Sequence, residues 1–352
     1  MTPVTRSDPA DYHHAGNDRA IGQWLIVCAA MVLAMIVIGG ITRLTESGLS
    51  IVYWRPVTGI LPPLTGSAWQ QAFEAYRTSP QYLQVNAGMT LAEFRTIFWW
   101  EYIHRAWGRL IGLVFFLPFV WYLVCGRVRP SLVPRLIFLF LLGGAQGLLG
   151  WYMVRSGLVD VPEVSQYRLA AHLSLAFLIY ALLVWTGLSL VSPVTPVRAD
   201  GVASRTRCLG LLALILVALT IFSGAFVAGT DAGLVFNTFP LMEGGLLPPG
   251  YFEHAAAPFE DHGTIQFHHR VLALVSIGAV AALWCQSRCL ALAPRARMVA
   301  NALMGMALLQ VVLGITTLVL VVPVHAAACH QAGAVLLFTL LLWFLHEMRS
   351  AA

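Results

Sequence analysis

Two short polar sequences stand at the start of long apolar segments in this chain. "EYIHR" at 101–105 precedes "AWGRLIGLVFFLPFVWYLV", and "QFHHR" at 266–270 precedes "VLALVSIGAVAALWC". Each contains a histidine followed directly by an arginine, but only the first contains a glutamate. A histidine can ligate a metal or exchange a proton near neutral pH, and a nearby carboxylate can act as a general acid or base. Both sequences are therefore candidate chemical sites.

Two further histidines occur at matching positions later in the chain. "AAHLSLAFLIY" at 170–180 and "ACHQAGAVLLF" at 328–338 each place a histidine at the start of an apolar segment. A lone histidine on an apolar helix is usually a packed polar group, but four at repeated positions on alternate helices indicate a shared role. Two neutral imidazoles that face each other inside a four-helix unit are typical axial ligands of a haem iron. Zinc fits less well, because it needs three or four ligands together.

This pairing predicts a bis-histidine haem site in each half of the chain. The predicted metal ligands are His104 and His172 in the first half, and His269 and His330 in the second. His268 adjoins His269, but the repeated unit is a histidine followed by an arginine, which favours His269.

An arginine follows the first predicted ligand in each half. Arg105 and Arg270 could bind haem propionates through bidentate hydrogen bonds, so we predict both as cofactor-binding residues. The alternative is that each guanidinium extends from the membrane interface toward water. Position along the chain does not decide between these two interpretations.

The two halves differ in one acidic residue. Glu101 precedes His104 by three residues, so both side chains project from the same face of a helix. The matching residue in the second half is Gln266. An acid inside a membrane is costly and usually functional, whereas a glutamine can only form hydrogen bonds. We therefore predict that Glu101, His104 and His172 are catalytic, and that the second half is a resident cofactor site.

The elements that must position these residues are membrane-spanning helices. The chain has 352 residues, of which 59% are hydrophobic and 11% charged, whereas a soluble domain has about 25% charged residues. Transmembrane barrel strands would be shorter and would alternate apolar with polar residues. The composition predicts an all-α polytopic membrane protein. Its predicted spans are 22–41, 103–124, 135–154, 169–190, 208–228, 267–286, 298–322 and 327–345.

Paired landmarks recur in the same order in the two halves. "GGITRLTESGLSIVYWRPVTGILPP" after the first span resembles "GAFVAGTDAGLVFNTFPLMEGGLLPP" after the fifth, and "AQGLLG" in the third resembles "LQVVLG" in the seventh. We predict two parallel-repeat four-helix bundles, 1–195 and 196–352, each with four spans and therefore with the same orientation. The first unit is predicted to bind the substrate and the second to hold the resident cofactor.

The basic residues predict how the chain crosses the membrane. All 21 are arginines, and they cluster between spans two and three, four and five, and six and seven. The segment between spans five and six instead carries acidic residues without arginine. The positive-inside rule then places both termini in the cytoplasm and the histidines toward the outer face. The net charge of +5 follows this membrane distribution and indicates no nucleic-acid partner.

The first outer loop is long and has two helix-start patterns. "SAWQ" at 67–70 and "TLAE" at 90–93 both match a capping box. We therefore predict a partly helical loop whose second helix, "TLAEFRTIFWW", continues into the second span. Such a loop would act as a lid over the outer face or would simply pack against the helix ends.

The chain resembles the haem A synthase family, specifically its proteobacterial and mitochondrial branch. The most specific stretches are "GGITRLTESGLSIVYWRPVTGILPPL", "FWWEYIHRAWGRLIG" and "QFHHRVLALV". The resemblance places the four histidines on the family's ligand positions and Glu101 on its acidic position. Other branches carry a cysteine pair in outer loops, which this chain lacks.

The resemblance implies a reaction and a set of partners. Haem O would be the substrate, and the methyl group on its ring D would be oxidised to the formyl group of haem A, the cofactor supplied to cytochrome oxidase. The first half would receive this substrate, and the second would hold a resident haem b. The implied location is the cell inner membrane, with the haem sites toward the periplasm. A haem O synthase and an electron donor are the implied protein partners, and a homo-oligomer is compatible with the sequence.

Two other classes of function remain open at this point. A di-haem electron-transfer cytochrome would share the histidines but would give no reason for a glutamate in one half only. A transporter built on a repeated fold would be expected to have polar sites in the middle of the membrane and discontinuous helices.

Overall fold

The computed structural model of the chain is almost entirely helical. It describes residues 9–53, 58–158, 162, 164–192, 201–254 and 258–349. The helices in chain order are α1 (Pro9–Leu44), α2 (Gly66–Arg77), α3 (Pro80–Gln84), α4 (Leu91–Val124), α5 (Val133–Gly157), α6 (Gln166–Val191), α7 (Gly201–Gly229), α8 (Tyr251–His254), α9 (His262–Ser287), α10 (Pro294–Val319) and α11 (Val324–Glu347). Short 3₁₀ turns lie at Thr58–Ile60 and Ala232–Leu234.

Eight of these helices are long and apolar enough to cross a membrane. They are α1, α4, α5, α6, α7, α9, α10 and α11, which confirms the predicted class of a polytopic α-helical membrane protein. The predicted end of the seventh span at residue 322 was wrong, because α10 ends at Val319. Val321 and Val322 have φ values of 61° and 55°. A helix cannot continue through this left-handed backbone, which turns the chain into α11 instead.

The spanning helices pack in the same pairwise pattern in both parts of the chain. In the first part α1 packs against α4 and α6, and α5 packs against α4 and α6. In the second part α7 packs against α9 and α11, and α10 packs against α9 and α11. The two sets meet where α6 contacts α7 and α11, and where α1 contacts α11. The most buried helices are therefore those of the central contact, with α11 the richest in buried side chains.

Two matching turns follow the first helix of each set. Glu46 after α1 and Asp231 after α7 both adopt a left-handed backbone conformation, with φ values of 50° and 54°. Aspartate tolerates this conformation better than most residues other than glycine, whereas glutamate is not among the residues that favour it. A hydrogen bond connects the end of α1 with the second turn: Arg43 Nη2 donates to Asp231 Oδ2 at 2.9 Å. This contact joins the two parts of the chain at the ends that carry the predicted sites.

The loop between α1 and α4 contains two short helices held by an aromatic cluster. Trp69, Phe73 and Tyr76 of α2 pack against Phe94 and Phe98 at the start of α4. The predicted partly helical loop is thus confirmed. Packing against the first turns of α4 fixes its position over the end of the spanning bundle.

One of the two predicted helix starts in this loop is correct. Thr90 and Glu93 form the capping box, and α4 continues without interruption from Leu91 into the spanning segment. The prediction for "SAWQ" was wrong, because Thr65 caps α2 by accepting from the Ala68 amide at 3.2 Å. Thr65 lies two residues earlier than Ser67, and a threonine serves the capping role equally well.

Candidate functional site

A large cavity lies within the spanning bundle, and all the predicted site residues line it. Its volume is about 1910 Å³ and it extends across both sets of helices. The lining residues that could bind or react are Glu101, His104, Arg105, His172, Gln266, His269, Arg270 and His330. The structure therefore brings together every residue that the sequence singled out.

The histidines lie in two pairs. His104 of α4 and His172 of α6 are close enough for a direct electrostatic interaction. The same is true of His269 of α9 and His330 of α11. Each pair joins the second and fourth spanning helices of one set. Among the described residues, no group of three or more histidine, cysteine, aspartate or glutamate side chains could hold a metal ion. Each pair offers two imidazoles, a donor set that haem iron can accept.

Each of the four imidazoles rests against a glycine of a neighbouring helix. A Cβ atom at Gly39 would lie 3.0 Å from His104 Cε1, and one at Gly224 would lie 3.2 Å from His269 Cε1. The other two histidines repeat this contact with α5 and α10, since Cβ atoms at Gly150 and Gly314 would lie 3.0 Å and 2.9 Å from the Cε1 atoms of His172 and His330. A larger residue at these places would push the ring into the cavity. The glycines therefore determine how closely each imidazole can pack against the neighbouring helix.

Glutamines of α5 and α10 contact the histidines of the fourth helices in a similar way. Gln146 Nε2 donates to the His172 carbonyl at 3.1 Å and lies 3.3 Å from His172 Nε2. Gln310 Nε2 donates to the His330 carbonyl at 2.8 Å and lies 3.1 Å from His330 Nδ1. Each glutamine ties a ligand helix to its neighbour, and each lies four residues before the glycine that supports the ring. The repeated sequences "AQGLLG" and "LQVVLG" thus mark the supports of the histidines.

The Nδ1 atoms differ between the two pairs. In the second pair, His269 Nδ1 is 2.8 Å from Ser223 Oγ, and His330 Nδ1 contacts Gln310. In the first pair, the Nδ1 atoms of His104 and His172 are buried and have no hydrogen-bond partner within the described parts of the chain. Because Gln146 contacts His172 through Nε2 instead, the one polar contact that the second pair has and the first pair lacks is that of Ser223 with His269.

Glu101 is buried and accepts hydrogen bonds from three groups. Ser50 Oγ and the Ile51 amide both donate to its Oε2 atom at 2.7 Å, and Arg105 Nη2 donates to Oε1 at 2.5 Å. The residue is 2% exposed. Two donors come from the loop after α1, so the carboxylate connects this loop to α4. A buried carboxylate needs such partners, because an unpaired charge in an apolar interior is very costly.

Gln266 is equally buried, but its amide donates where Glu101 accepts. Its Nε2 atom donates to the carbonyl oxygens of Ala232 and Phe236 at 2.9 and 3.2 Å. Its Oε1 atom accepts from Arg270 Nη2 at 3.1 Å. Both residues therefore join the ligand helix to the preceding loop, but with opposite hydrogen-bonding sense. The second half offers backbone acceptors at the place where the first half offers donors.

The two arginines also contact the loops. Arg105 Nη2 donates to the Ile51 carbonyl at 3.1 Å, and Arg270 Nη2 donates to the Phe236 carbonyl at 2.8 Å. The Nε and Nη1 atoms of Arg270 are buried and have no hydrogen-bond partner within the described parts of the chain. These two donors are available for an anion in the cavity, as a propionate-binding residue requires.

His268 does not belong to the pairs. Its Nε2 atom is 3.2 Å from the Tyr251 hydroxyl in the loop outside the cavity, and it is not a lining residue. His269, and not its neighbour, therefore lines the cavity, and its role as a ligand stays a prediction. Ser223 and the four glycines were not identified as site residues from the sequence. Two repeated features could have pointed to these glycines, namely the small residue at the end of the first span of each half and the shared last residue of "AQGLLG" and "LQVVLG".

The fold and the site define a helical membrane protein with two pairs of histidines around a shared cavity. A family model described as cytochrome oxidase assembly protein matches residues 22–342. The chain belongs to this family.

Similar proteins align with almost the whole chain. A protein of Paramagnetospirillum magneticum named haem A synthase is 49% identical, with 99% of each chain aligned. One of Nitrosospira multiformis with the same name is also 49% identical, over 94% of each chain. A plant protein, haem A synthase COX15 of Arabidopsis thaliana, is 44% identical over 94% of this chain and 74% of its own length. The similarity thus extends to the mitochondrial type, as the sequence motifs predicted.

Proposed function

We propose that this protein is an oxidoreductase that converts haem O to haem A for cytochrome oxidase. The observation that carries the proposal is the pair of matching histidine sites of which only one includes an acid, Glu101. Full-length relatives named haem A synthase support the reaction. The methyl group on ring D of the substrate would be hydroxylated successively and would lose water to leave the formyl group.

We propose that the C-terminal half, residues 196–352, holds a resident haem b between His269 and His330. The donor set, the glycine supports and the free Nε and Nη1 donors of Arg270 fit this group. When bound, haem b supplies one-electron transfer to or from the neighbouring site. Within the protein, Ser223 and Gln310 would orient the ligands, and Arg270 would bind a propionate.

The N-terminal half, residues 1–195, would receive haem O between His104 and His172. The two imidazoles would hold the substrate, while Arg105 would keep Glu101 in position and contribute positive charge near the propionates. Glu101 lies one helical turn from His104 on the same helix face. Its carboxylate could accept a proton during the loss of water from the hydroxylated methyl group, which an amide at this position could not do.

The cavity explains how one molecule could couple two such sites. It extends from the first pair of histidines to the second and has mainly apolar lining residues. These would exclude water and favour a flat apolar macrocycle. The proposed arrangement in the inner membrane, with both termini cytoplasmic and the sites toward the periplasm, follows from the arginine distribution. A haem O synthase would deliver the substrate, and a separate electron donor would complete the reaction.

Haem analysis of the purified protein tests the proposal. The protein would be produced with a haem O synthase, and its haems would be identified by pyridine haemochrome spectra and mass spectrometry. Protohaem together with haem O, haem A or a hydroxylated intermediate is expected. Protohaem alone, with haem O present in the same membranes, would instead indicate a di-haem electron-transfer cytochrome.

A further inference from the structure

We propose that Ser223 is a positioning residue that makes the second histidine site hold haem more tightly than the first. It would do so by fixing the orientation and the tautomer of His269. This inference rests on the proposed function, because it assumes that His269 is an axial ligand. It concerns retention of the resident haem and not the oxidation itself.

The hydroxyl of Ser223 has two neighbours. Its Oγ atom lies 2.8 Å from the Thr220 carbonyl oxygen and 2.8 Å from His269 Nδ1. A serine has one hydrogen to donate, and a carbonyl can only accept. When Ser223 donates to Thr220, its oxygen must accept from the N–H at His269 Nδ1. The imidazole then has its lone pair on Nε2, which is the tautomer that can ligate iron through that atom.

The first half lacks this hydroxyl. When Gly39 is aligned with Gly224, Ile38 occupies the position of Ser223. The two rings are otherwise supported alike, since a Cβ atom would lie 3.0 Å from His104 Cε1 at the first glycine and 3.2 Å from His269 Cε1 at the second. His104 Nδ1 is buried and has no hydrogen-bond partner within the described parts of the chain. The two sites thus differ at this ligand by one polar contact.

This contact has a predictable effect on a metal ligand. A hydrogen bond from Nδ1–H makes the opposite nitrogen a stronger donor and keeps the ring from rotating, and losing such a partner typically weakens metal binding about 10- to 100-fold. A site that keeps its cofactor gains from this support. A site that must release its product after each reaction would be hindered by it. Ser223 therefore favours retention of haem in the second half, and Ile38 allows release of the product from the first.

The test compares release of haem from full-length variants in detergent. In Ser223→Ala, transfer of haem b to apomyoglobin should be about 10- to 100-fold faster than in the wild type. The midpoint potential of haem b should also rise, because a weaker histidine donor stabilises the oxidised iron less. Ser223→Thr keeps the hydroxyl and should restore both values toward those of the wild type.

The matched variant in the first half is Ile38→Ser. It should slow the release of haem O or haem A from the N-terminal site and leave the haem b potential unchanged. Wild-type release and potential in Ser223→Ala, or unchanged release in Ile38→Ser, would overturn the proposal. If Ser223→Ala folds poorly, the proposal is judged on Ile38→Ser and on the potential of Ser223→Thr, which must stay at the wild-type value. Failure of the proposed function would look different, since the wild-type protein would then contain protohaem without haem O, haem A or a hydroxylated intermediate, or no haem at all.

Discussion

At the scale of single residues, the two halves differ in the loop groups that Glu101 and Gln266 contact. The Ile51 amide and the Ser50 hydroxyl point donors at Glu101, whereas Gln266 meets two carbonyl oxygens. A carboxylate can only accept hydrogen bonds, while an amide can also donate. The loop in the first half therefore offers donors to a carboxylate, and the loop in the second half offers acceptors to an amide. The two halves differ in the loop as well as in the acid.

The substitution Glu101→Gln separates proton transfer from hydrogen bonding at this position. Glutamine can still accept from the arginine four residues later, as Gln266 does from Arg270 at 3.1 Å, but its Nε2 would then face the Ile51 amide, at a cost of about 1–3 kcal/mol of stability. We expect the protein to fold and to keep its haem b, because His269 and His330 are unchanged. Production of haem A should fall about 10²- to 10⁴-fold, because losing a general acid or base typically costs this much. Quantifying extracted haems by liquid chromatography checks the result.

A control for Glu101→Gln is Ser50→Val, which copies the second half, where Val235 occupies the matching position. It removes one hydrogen bond from Glu101 and leaves the carboxylate in place. We expect a decrease in haem A production of less than about 10-fold, in line with about 1 kcal/mol for one hydrogen bond. A decrease as large as that of Glu101→Gln would show that Glu101 acts by anchoring the loop.

Substitutions of the proposed ligand histidines should affect different haems in the two halves. His269→Ala and His330→Ala should each lower the content of haem b, because one axial bond is lost in each. His104→Ala and His172→Ala should leave haem b in place and should reduce the binding of haem O. Pyridine haemochrome spectra and mass spectrometry of the purified variants distinguish these outcomes. Loss of all haem b from the first-half variants, with none lost from the second-half variants, would reverse the assignment of the sites.

At the scale of elements, the helices behind the ligands set the position of the rings. The third spanning helix of each set provides both a glycine and a glutamine to the histidine of the fourth, as Gly314 and Gln310 do for His330. The glycine admits the ring and the glutamine holds the helix that carries it. A small residue thus has a packing role here, although glycine inside a helix costs about 1 kcal/mol relative to alanine.

Gly314→Ala tests this support without changing a ligand. The new methyl group would lie 2.9 Å from His330 Cε1, which is closer than real Cβ contacts allow. We expect a lower haem b content and an altered absorption spectrum, although alanine favours the helix. Gly305→Ala on the same helix is the matched control, because its methyl group would meet no atom within 4 Å. Equal haem content and spectra in both variants would remove the proposed role of Gly314.

At the scale of the whole molecule, contacts between the two sets of helices lie close to both sites. Gln331, next to the proposed ligand His330, donates to the Ile36 carbonyl of α1 at 3.0 Å. Its amide packs against Gly40, the neighbour of the glycine that supports His104. Farther along α6 and α11, in the interior of both helices, the hydroxyls of Tyr180 and Thr339 are 2.6 Å apart. The two sets of helices thus meet in a packed interface that lies next to both sites.

The orientation in the membrane can be measured with reporter fusions. We expect a fusion after residue 200 to give a cytoplasmic signal and one after residue 255 to give a periplasmic signal. The physical reason is the arginine-rich character of the first segment and the acidic character of the second. Alkaline phosphatase and a fluorescent protein report opposite sides. The same signal from both positions would contradict an arrangement of eight spans with parallel halves.

The number of spans, the pairing of the four histidines and the difference between Glu101 and Gln266 could all be predicted from the sequence. The reason is that a membrane imposes a strict rule: each crossing needs about 20 apolar residues, so polar residues near the ends of spans are conspicuous. Composition and spacing along one chain are enough to apply that rule. The start of α4 at Thr90 was predictable for a similar reason, because a capping box is local.

Only the tertiary structure decided which groups surround each ligand. Ser223 lies 46 positions before His269, and the contact exists because α7 and α9 pack side by side. Likewise, only the structure shows that Glu101 accepts hydrogen bonds from the loop after α1. It also shows that two buried nitrogen atoms of Arg270 have no hydrogen-bond partner among the described residues. These contacts depend on distances between helices that are far apart in the chain. Hydropathy and spacing do not give these distances, because they depend on how the side chains of different helices pack against each other.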